Sequence, residues 1–507
     1  MRAAHRHPDG LAAMVESSQS QQPPTVAHVD SRTQLRQNAF GVPTILFFVF
    51  SAQAPLTGIV GTAALTIAMG VGAGTPGIYL LVGASIILFA VGFTTIARSI
   101  NTRGGFFAVV RAGLGRPIGT SASMLALLSY NVVQFGMYAL LGVSISYLVE
   151  SDLAMSVPWW LGAVVSTVLV WTLGSFNIEL GAKILAALVT VEFALLIAMA
   201  VGILARVGLS GLNVEASFGV HSVLVGAPGI GIMFAIASMF GFESTAVYAP
   251  EAKNPEKTVP RATYLSVSII ALFFTLIVWM LVSYYGSDGV RDAAAQALAG
   301  DPAQFVLVPM ADVLGGWSAI IAQVLLCTSL FAGVLAFHNM VARYLHALGE
   351  DRILPSRTAL TNRWKAPWVA SLTQSAFALL TLTIFAVGAL NPMTTLFTWA
   401  SGVSVLALVA LYVLTSVAIV CYFRQNPHVG RRWNSVVAPT LSVVAMAGIL
   451  VAVVTNFESL VGNQGPLMWA LIATVPIAAG VGYLAGRDVH TTEHVAAATD
   501  TSMASVD

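Results

Sequence analysis

Two carboxylates, Glu192 and Glu243, stand deep inside long apolar runs, and no other acidic residue of the 507-residue chain does. An ionised group in hydrocarbon costs several kcal/mol unless it is paired, hydrated or neutralised by a proton. Two chemistries suit such a residue: carrying a proton, or holding a cationic group. Glu192 falls about eight residues into its run, or about 12 Å along a helix axis. There it can pair with a cation or share a vestibule with Glu243. His338 is a third proton-handling candidate, against the plainer reading of a packing or loop-anchoring histidine.

The elements that must position these groups are membrane spans. Hydrophobic residues make up 57% of the chain and charged residues 9%, far from the composition of a soluble domain. A net charge of +1 says nothing about nucleic acid, and since no basic patch is interleaved with aromatics, no nucleic-acid partner is expected. Both cysteines, Cys327 and Cys421, lie in apolar runs, so neither a disulfide framework nor a metal site is expected. A crossing helix needs about 20 apolar residues. Twelve stretches qualify: 40–69, 76–99, 117–149, 159–176, 184–207, 228–249, 261–286, 316–347, 367–389, 392–423, 436–456 and 467–487. The alternating ten-residue segments of a β-barrel are absent.

Orientation follows from the basic residues. With the N-terminus inside, the inner segments hold Arg98, Arg103, Arg111, Arg116, Lys183, Lys253, Lys257 and Arg261, and later Arg343, Arg352, Arg357, Arg363 and Lys365. Only Arg206 and Arg291 fall outside, as the positive-inside rule requires. Both termini are therefore predicted to be cytoplasmic, in a multi-pass protein of the plasma membrane. Residues 1–38 and 488–507 read as disordered tails. The polar N-terminal stretch has no apolar core, which speaks against a cleaved signal peptide. The longest outer connection, 287–315, has room for a short surface helix.

Two spans are interrupted. The first contains Ser51, Gln53, Pro55, Thr57, Gly58 and Gly61 where a lipid-facing helix would carry leucine or valine. The sixth is interrupted at Phe240-Gly241-Phe242-Glu243. Proline removes a backbone donor and glycine weakens a helix. Main-chain groups freed at that depth are tolerable only where protein or a cavity covers them. Five spans separate the breaks, so the two segments enter the membrane from opposite sides, which is the arithmetic of an inverted five-plus-five repeat. The plainer reading is a pair of packing kinks.

The run GFESTAVYAPEAKNPEKTVPRA, residues 241–262, resembles the sixth-span exit of the amino acid–polyamine–organocation permease superfamily. The matching positions are Gly241, Phe242, Glu243, Glu251, Lys253, Asn254, Pro255, Pro260 and Arg261. A second run, AFHNMVARYLHALGEDRILP at 336–355, is similar to the end of the eighth span in bacterial members. The resemblance implies an all-α, LeuT-like fold with discontinuous first and sixth helices: repeats at 39–207 and 228–423, then two peripheral helices at 436–487. It implies secondary transport of amino acids or related amines.

Carried onto this sequence, the resemblance places the substrate carboxylate at backbone donors around Thr57, Gly58 and Ile59. The amino group falls at carbonyls around Ser51, Ala54, Ala237 and Phe240. Gly241 belongs to the same break, and Phe240 and Phe242 would close over the ligand. Tyr130, Asn131, Gln134 and Thr328 are implied side-chain contacts. The chain departs from the family pattern in the first break, which lacks a Gly-Ser-Gly signature. Ala237 stands where arginine-handling relatives have a tryptophan, and the fifth span carries no lysine at its centre.

The sequence thus predicts a permease for an L-amino acid or related amine. Because both deep charges are acidic, a coupling proton or a cationic substrate is favoured over an anionic substrate; sodium is the less favoured coupling ion, and a sodium-coupled carrier, a polyamine carrier or an exchanger remains the alternative. Neither a catalytic centre nor a cofactor is expected, since no His-Glu-x-x-His helix, Ser/Lys pair or Asp/Asp pair lies in the spans. A non-transporting sensor would want an output domain that the short tails do not offer. The bilayer is the other partner; oligomeric state stays open, a homodimer included.

Overall fold

The computed structural model describes residues 38–503 apart from 101–104, 177, 244, 246–247, 300–301, 429–430 and 459–464. The predicted N-terminal tail, Arg103 and nearly all of 1–38 lie outside the described residues. The fold is all-helical. Among the described residues, ten helices are long and apolar enough to cross a membrane, or eleven if a bent pair counts as one span. Two of the twelve expected spans do not stand alone by that measure. The stretches 40–69 and 76–99 form one apolar run, Val42–Ala97, and 228–249 is represented by the shorter Pro228–Ser238.

The first helix, α1 (Val42–Gln53), gives way to α2 (Pro55–Leu65) across a single residue, Ala54, whose φ is +43° and ψ +72°. The cause is local. A residue before proline is pushed out of the right-handed helical region. Pro55 itself suits the first position of a new helix, because its missing N–H would have no partner there anyway. After a π-helical turn at Thr66–Val71 and a turn of three residues, α3 (Thr75–Ala97) returns.

A short helix, α4 (Phe106–Leu114), leads into the long α5 (Arg116–Leu153), followed by α6 (Trp159–Phe176) and α7 (Ile178–Val207). The second interruption ends α8 (Pro228–Ser238), beyond which Gly241 has φ +111°. The chain resumes as α9 (Pro255–Tyr285). The outer-loop helix expected in 287–315 is a pair, α10 (Val290–Ala299) and α11 (Gln304–Leu314), bent by 115°. Then come α12 (Gly316–Glu350), α13 (Trp368–Val387), α14 (Thr398–Gln425) and α15 (Ala438–Thr455). The last helix, α16 (Pro466–Met503), runs past Arg487, where the sequence reading begins a tail.

The broken helices occupy the centre. α1 and α2 pack against α7, α9 and α12, and α2 also meets α8. α5 forms a long wall touching α6, α12, α14 and α16. The two broken segments are joined to each other at both ends. Phe40, ahead of α1, bridges Ala252: the amides of Ala39 and Phe40 donate to the Glu251 carbonyl at 2.8 and 3.0 Å, and Lys253 N–H donates to the Phe40 carbonyl at 2.8 Å. At the opposite end, Ala227 N–H donates to the Gly70 carbonyl at 3.2 Å.

The two basic residues that break the charge asymmetry have structural work at this second end. Arg291 donates to the Gly70 carbonyl at 3.1 Å, and Arg206 pairs with Asp312.

Ala54 tests this account of the first break. A non-glycine residue in the left-handed region carries strain of about 1–2 kcal/mol. Ala54→Gly should leave the thermal midpoint of the purified protein unchanged or raised, whereas Ala54→Val should lower it. Differential scanning fluorimetry in detergent reads both, and an Ala54→Val protein as stable as the parent would contradict a break at residue 54.

Candidate functional site

A cavity of about 70 Å³ lies between the two breaks. Ala54, Thr57, Gly58 and Gly61 border it from the first break and α2, and Ala237 and Phe240 from the second. Its remaining wall is apolar, formed by Val133 and Met137 of α5, Phe234, Phe337, Phe397 and Val405. Gln53, Thr62 and Ser401 complete the polar share.

Around the first break, buried polar atoms stand without partners among the described residues: Ser51 Oγ, Gln53 Oε1 and Thr57 Oγ1. Buried polar groups are nearly always hydrogen-bonded, so a cluster of exceptions beside a cavity marks a place prepared for a guest or for water. Gln53 Nε2 reaches across to the Met239 carbonyl at 3.4 Å and links the breaks. Gly58 N–H is already used inside the helix, donating to the Ala54 carbonyl at 2.8 Å.

Each break also carries a buried carboxylate. Glu192, on α7, accepts from Leu56 N–H at 3.3 Å and from the Ser329 hydroxyl at 2.7 Å, both through Oε2. It therefore sits on the N-terminus of α2, where backbone N–H groups and the helix dipole favour an anion. Glu243 accepts from Gly241 N–H and the Tyr412 hydroxyl, each at 3.2 Å and again through Oε2. Tyr130 lies beside it. In both residues the second oxygen, Oε1, has no partner among the described residues.

The predicted contacts divide into two sets. Ala54, Thr57, Gly58, Ala237 and Phe240 border the cavity. Ser51 is buried at the end of α1, and Ile59 packs in the apolar core. Asn131 donates to the Leu127 carbonyl of its own helix at 2.7 Å. Gln134 donates to the Val334 carbonyl at 3.1 Å and accepts from Gln374. Thr328 is turned to the Leu325 carbonyl, and its neighbour Ser329 makes the contact to Glu192. Phe242 belongs to an aromatic cluster with Phe89 and Tyr412. His338 bonds Ser371 of α13 at 2.7 Å, holding two helices together.

Polar side chains on α5 attracted the sequence reading, but Asn131 and Gln134 are used within the protein, while the Tyr130 hydroxyl is buried with no hydrogen-bond partner among the described residues. The cavity face is Val133 and Met137, one helical turn apart and apolar. Phe397, Ser401 and Val405 repeat the same four-residue spacing, a signal present in the sequence and not used. Among the described residues, no three His, Cys, Asp or Glu side chains come together as metal ligands would.

Toward the end that bears Arg111, Arg116 and Lys253, contacts close over the breaks. Arg343 of α12 binds Glu251, Nε to Oε1 at 2.5 Å, with both side chains 2% exposed. The guanidinium also lies 5.0 Å from the Tyr248 ring centre, and Tyr248 stacks on Phe48 of α1. The principal partner of Arg343 is thus a carboxylate, with the Asn339 carbonyl of its own helix secondary at 3.3 Å.

Comparison with known proteins gives this geometry a context. A family model described as amino acid permease matches residues 40–479. The L-lysine transport protein of Corynebacterium glutamicum is 25% identical over 323 residues, 61% of this chain and 60% of that protein. The branched-chain amino acid permease BcaP of Lactococcus lactis is 29% identical over 140 residues, 27% of this chain and 28% of that one. The lysine-specific permease LysP of the same organism is 23% identical over 241 residues, 44% and 46% of the two chains. These alignments thus span less than two thirds of the relatives' length. Among solved structures, MhsT in complex with L-phenylalanine superposes with a TM-score of 0.55 at 17% identity, covering 83% of this chain and all of that one. A manganese transporter of Eremococcus coleocola gives 0.53 at 13%, covering 91% and 99%. These likenesses show a shared fold.

The Arg343–Glu251 pair yields a stability test. Removing one member of a buried ion pair leaves an uncompensated charge and costs about 3–5 kcal/mol. Arg343→Met should therefore lower the melting temperature sharply, and Arg343→Met/Glu251→Leu should recover most of the loss. Equal melting of the single and double variants would show that the pair is not coupled.

Proposed function

We propose that this chain, which belongs to the amino acid permease family, carries an L-amino acid or related amine across the plasma membrane by alternating access. Of the three relatives described above, two are named for lysine and one for branched-chain amino acids, which supports an amino acid as cargo. In this reading the run Val42–Ala97 is the first and second spans, and Pro228–Ser238 is the first half of a broken sixth. The count is then twelve, ten core spans in two inverted halves and two peripheral ones, with both termini cytoplasmic.

The observation that carries the proposal is the cavity between two helix breaks, bordered by partnerless polar atoms. The first turn of α2 offers Thr57 to a carboxylate, while the carbonyl ends of α1 and α8 face an ammonium. Discontinuous helices supply such charge-complementary ends without placing a full charge in the bilayer. Arg343, Glu251 and Tyr248 form the gate toward the cytoplasm.

Glu192 is the first coupling candidate. Its Oε2 holds the amide that opens α2, so a proton taken up by this carboxylate would weaken the hold and free the hinge at Ala54. A backbone N–H and a hydroxyl aimed at the carboxylate suit an anion, and an N–H cannot serve as a sodium ligand, which favours proton coupling. Glu243, with the same pair of donor types at the second break, is the second.

Uptake into proteoliposomes tests this. An acidic exterior should drive accumulation, by about tenfold per pH unit if one proton accompanies each substrate, since a unit is worth about 1.4 kcal/mol. A sodium gradient at equal pH should drive none. Glu192→Gln should abolish accumulation while retaining exchange of internal for external substrate. Sodium-driven uptake, or a Glu192→Gln protein that still follows the pH gradient, would defeat the coupling scheme.

A further inference from the structure

The walls of the cavity speak to the kind of side chain it receives. Among the described residues lining it, none is charged. The main-chain end of a substrate is provided for at the breaks, by Ala54, Thr57, Ala237 and the partnerless oxygens nearby. The rest of the wall is Met137, Val133, Val405 and four phenylalanines, Phe234, Phe240, Phe337 and Phe397. Of the polar side chains there, Thr62 is engaged, donating to the Gly58 carbonyl at 2.6 Å and bonded to the Tyr79 hydroxyl at 2.8 Å. Ser401 is a neutral hydroxyl.

The nearby carboxylates do not change this balance. Glu192 and Glu243 are each tied to a backbone amide and a hydroxyl, and neither borders the cavity. Glu251 is committed to Arg343. An ammonium or guanidinium at the end of a substrate side chain would therefore enter an apolar wall with no counterion, a penalty that binding sites avoid.

Resting on the carrier reading above, we propose that the substrate is an L-amino acid with an uncharged aliphatic side chain, and that lysine, arginine and diamines are excluded. Selectivity arises from the absence of a counterion on the phenylalanine wall, and the two deep glutamates take no part in side-chain recognition.

The test is competition against labelled leucine uptake in proteoliposomes, together with ligand-induced shifts of the melting temperature, which read binding without transport. Unlabelled alanine, valine and leucine should compete and stabilise. Lysine, arginine and putrescine should do so at least about tenfold more weakly, within the discrimination a hydrophobic pocket can achieve. Comparable competition or direct uptake of lysine would overturn the inference while leaving the carrier reading intact. A protein that neither binds nor transports any of these compounds would overturn both.

Discussion

The centre of this molecule is governed by one constraint: main-chain polar groups inside hydrocarbon must find partners. The Ala54–Pro55 step violates helix continuity at the depth where that constraint is strictest. Pro55 supplies no amide, and Ala54, forced out of the right-handed region, ends α1. The next amide, that of Leu56, is met by Glu192 from α7, five helical segments later. The acid is needed because the break exists, and the break is tolerable because the acid and the cavity cover it.

The second break repeats the solution with different residues. There Gly241 N–H is met by Glu243, and a tyrosine hydroxyl replaces the serine hydroxyl. In each case one carboxylate oxygen is used twice and the other is left over. In the proposed carrier, a carboxylate with a free oxygen in an enclosed space would accept a proton while held in place by its own hydrogen bonds. Protonation would change its grip on the amide that defines the break, so charge and backbone geometry are linked at the same atom. That linkage is absent from the ordinary spans, whose serines and threonines mostly bond the carbonyl one turn earlier, as Thr94 and Thr95 do.

Much of this was legible in the sequence. Apolar length and basic residues are strong, additive signals, and the interruptions at 53–58 and 240–243 stand out because proline and glycine are costly at that depth. Less legible was which face of an intact helix meets the cavity. Asn131, Gln134 and Thr328 are polar and therefore conspicuous, but a polar side chain in a membrane bundle usually bonds a neighbouring carbonyl first. That is where all three point. The wall is made of Val133, Met137 and Phe397, residues indistinguishable in type from lipid-facing ones. Tyr412 was equally hidden, since nothing in its local sequence reports that Glu243 lies across the bundle.

The ties between the broken helices constrain how such a site can open. Phe40 to Ala252 at one end and Gly70 to Ala227 at the other are backbone links, and they join the two broken segments at both ends. Breaking them would expose amides and carbonyls in pairs, so the cheaper motion moves both segments together. Among the contacts that hold that joined unit to its surroundings, two arginines act at its ends: Arg343 on Glu251 at one, and Arg291 on the Gly70 carbonyl at the other. Each arginine comes from a different element, α12 and α10, and each touches the joined unit at only one of its ends. In the proposed carrier, releasing one while keeping the other would tilt the unit about the cavity and open a single side, so that access would be decided at the ends of the helices whose breaks create the cavity.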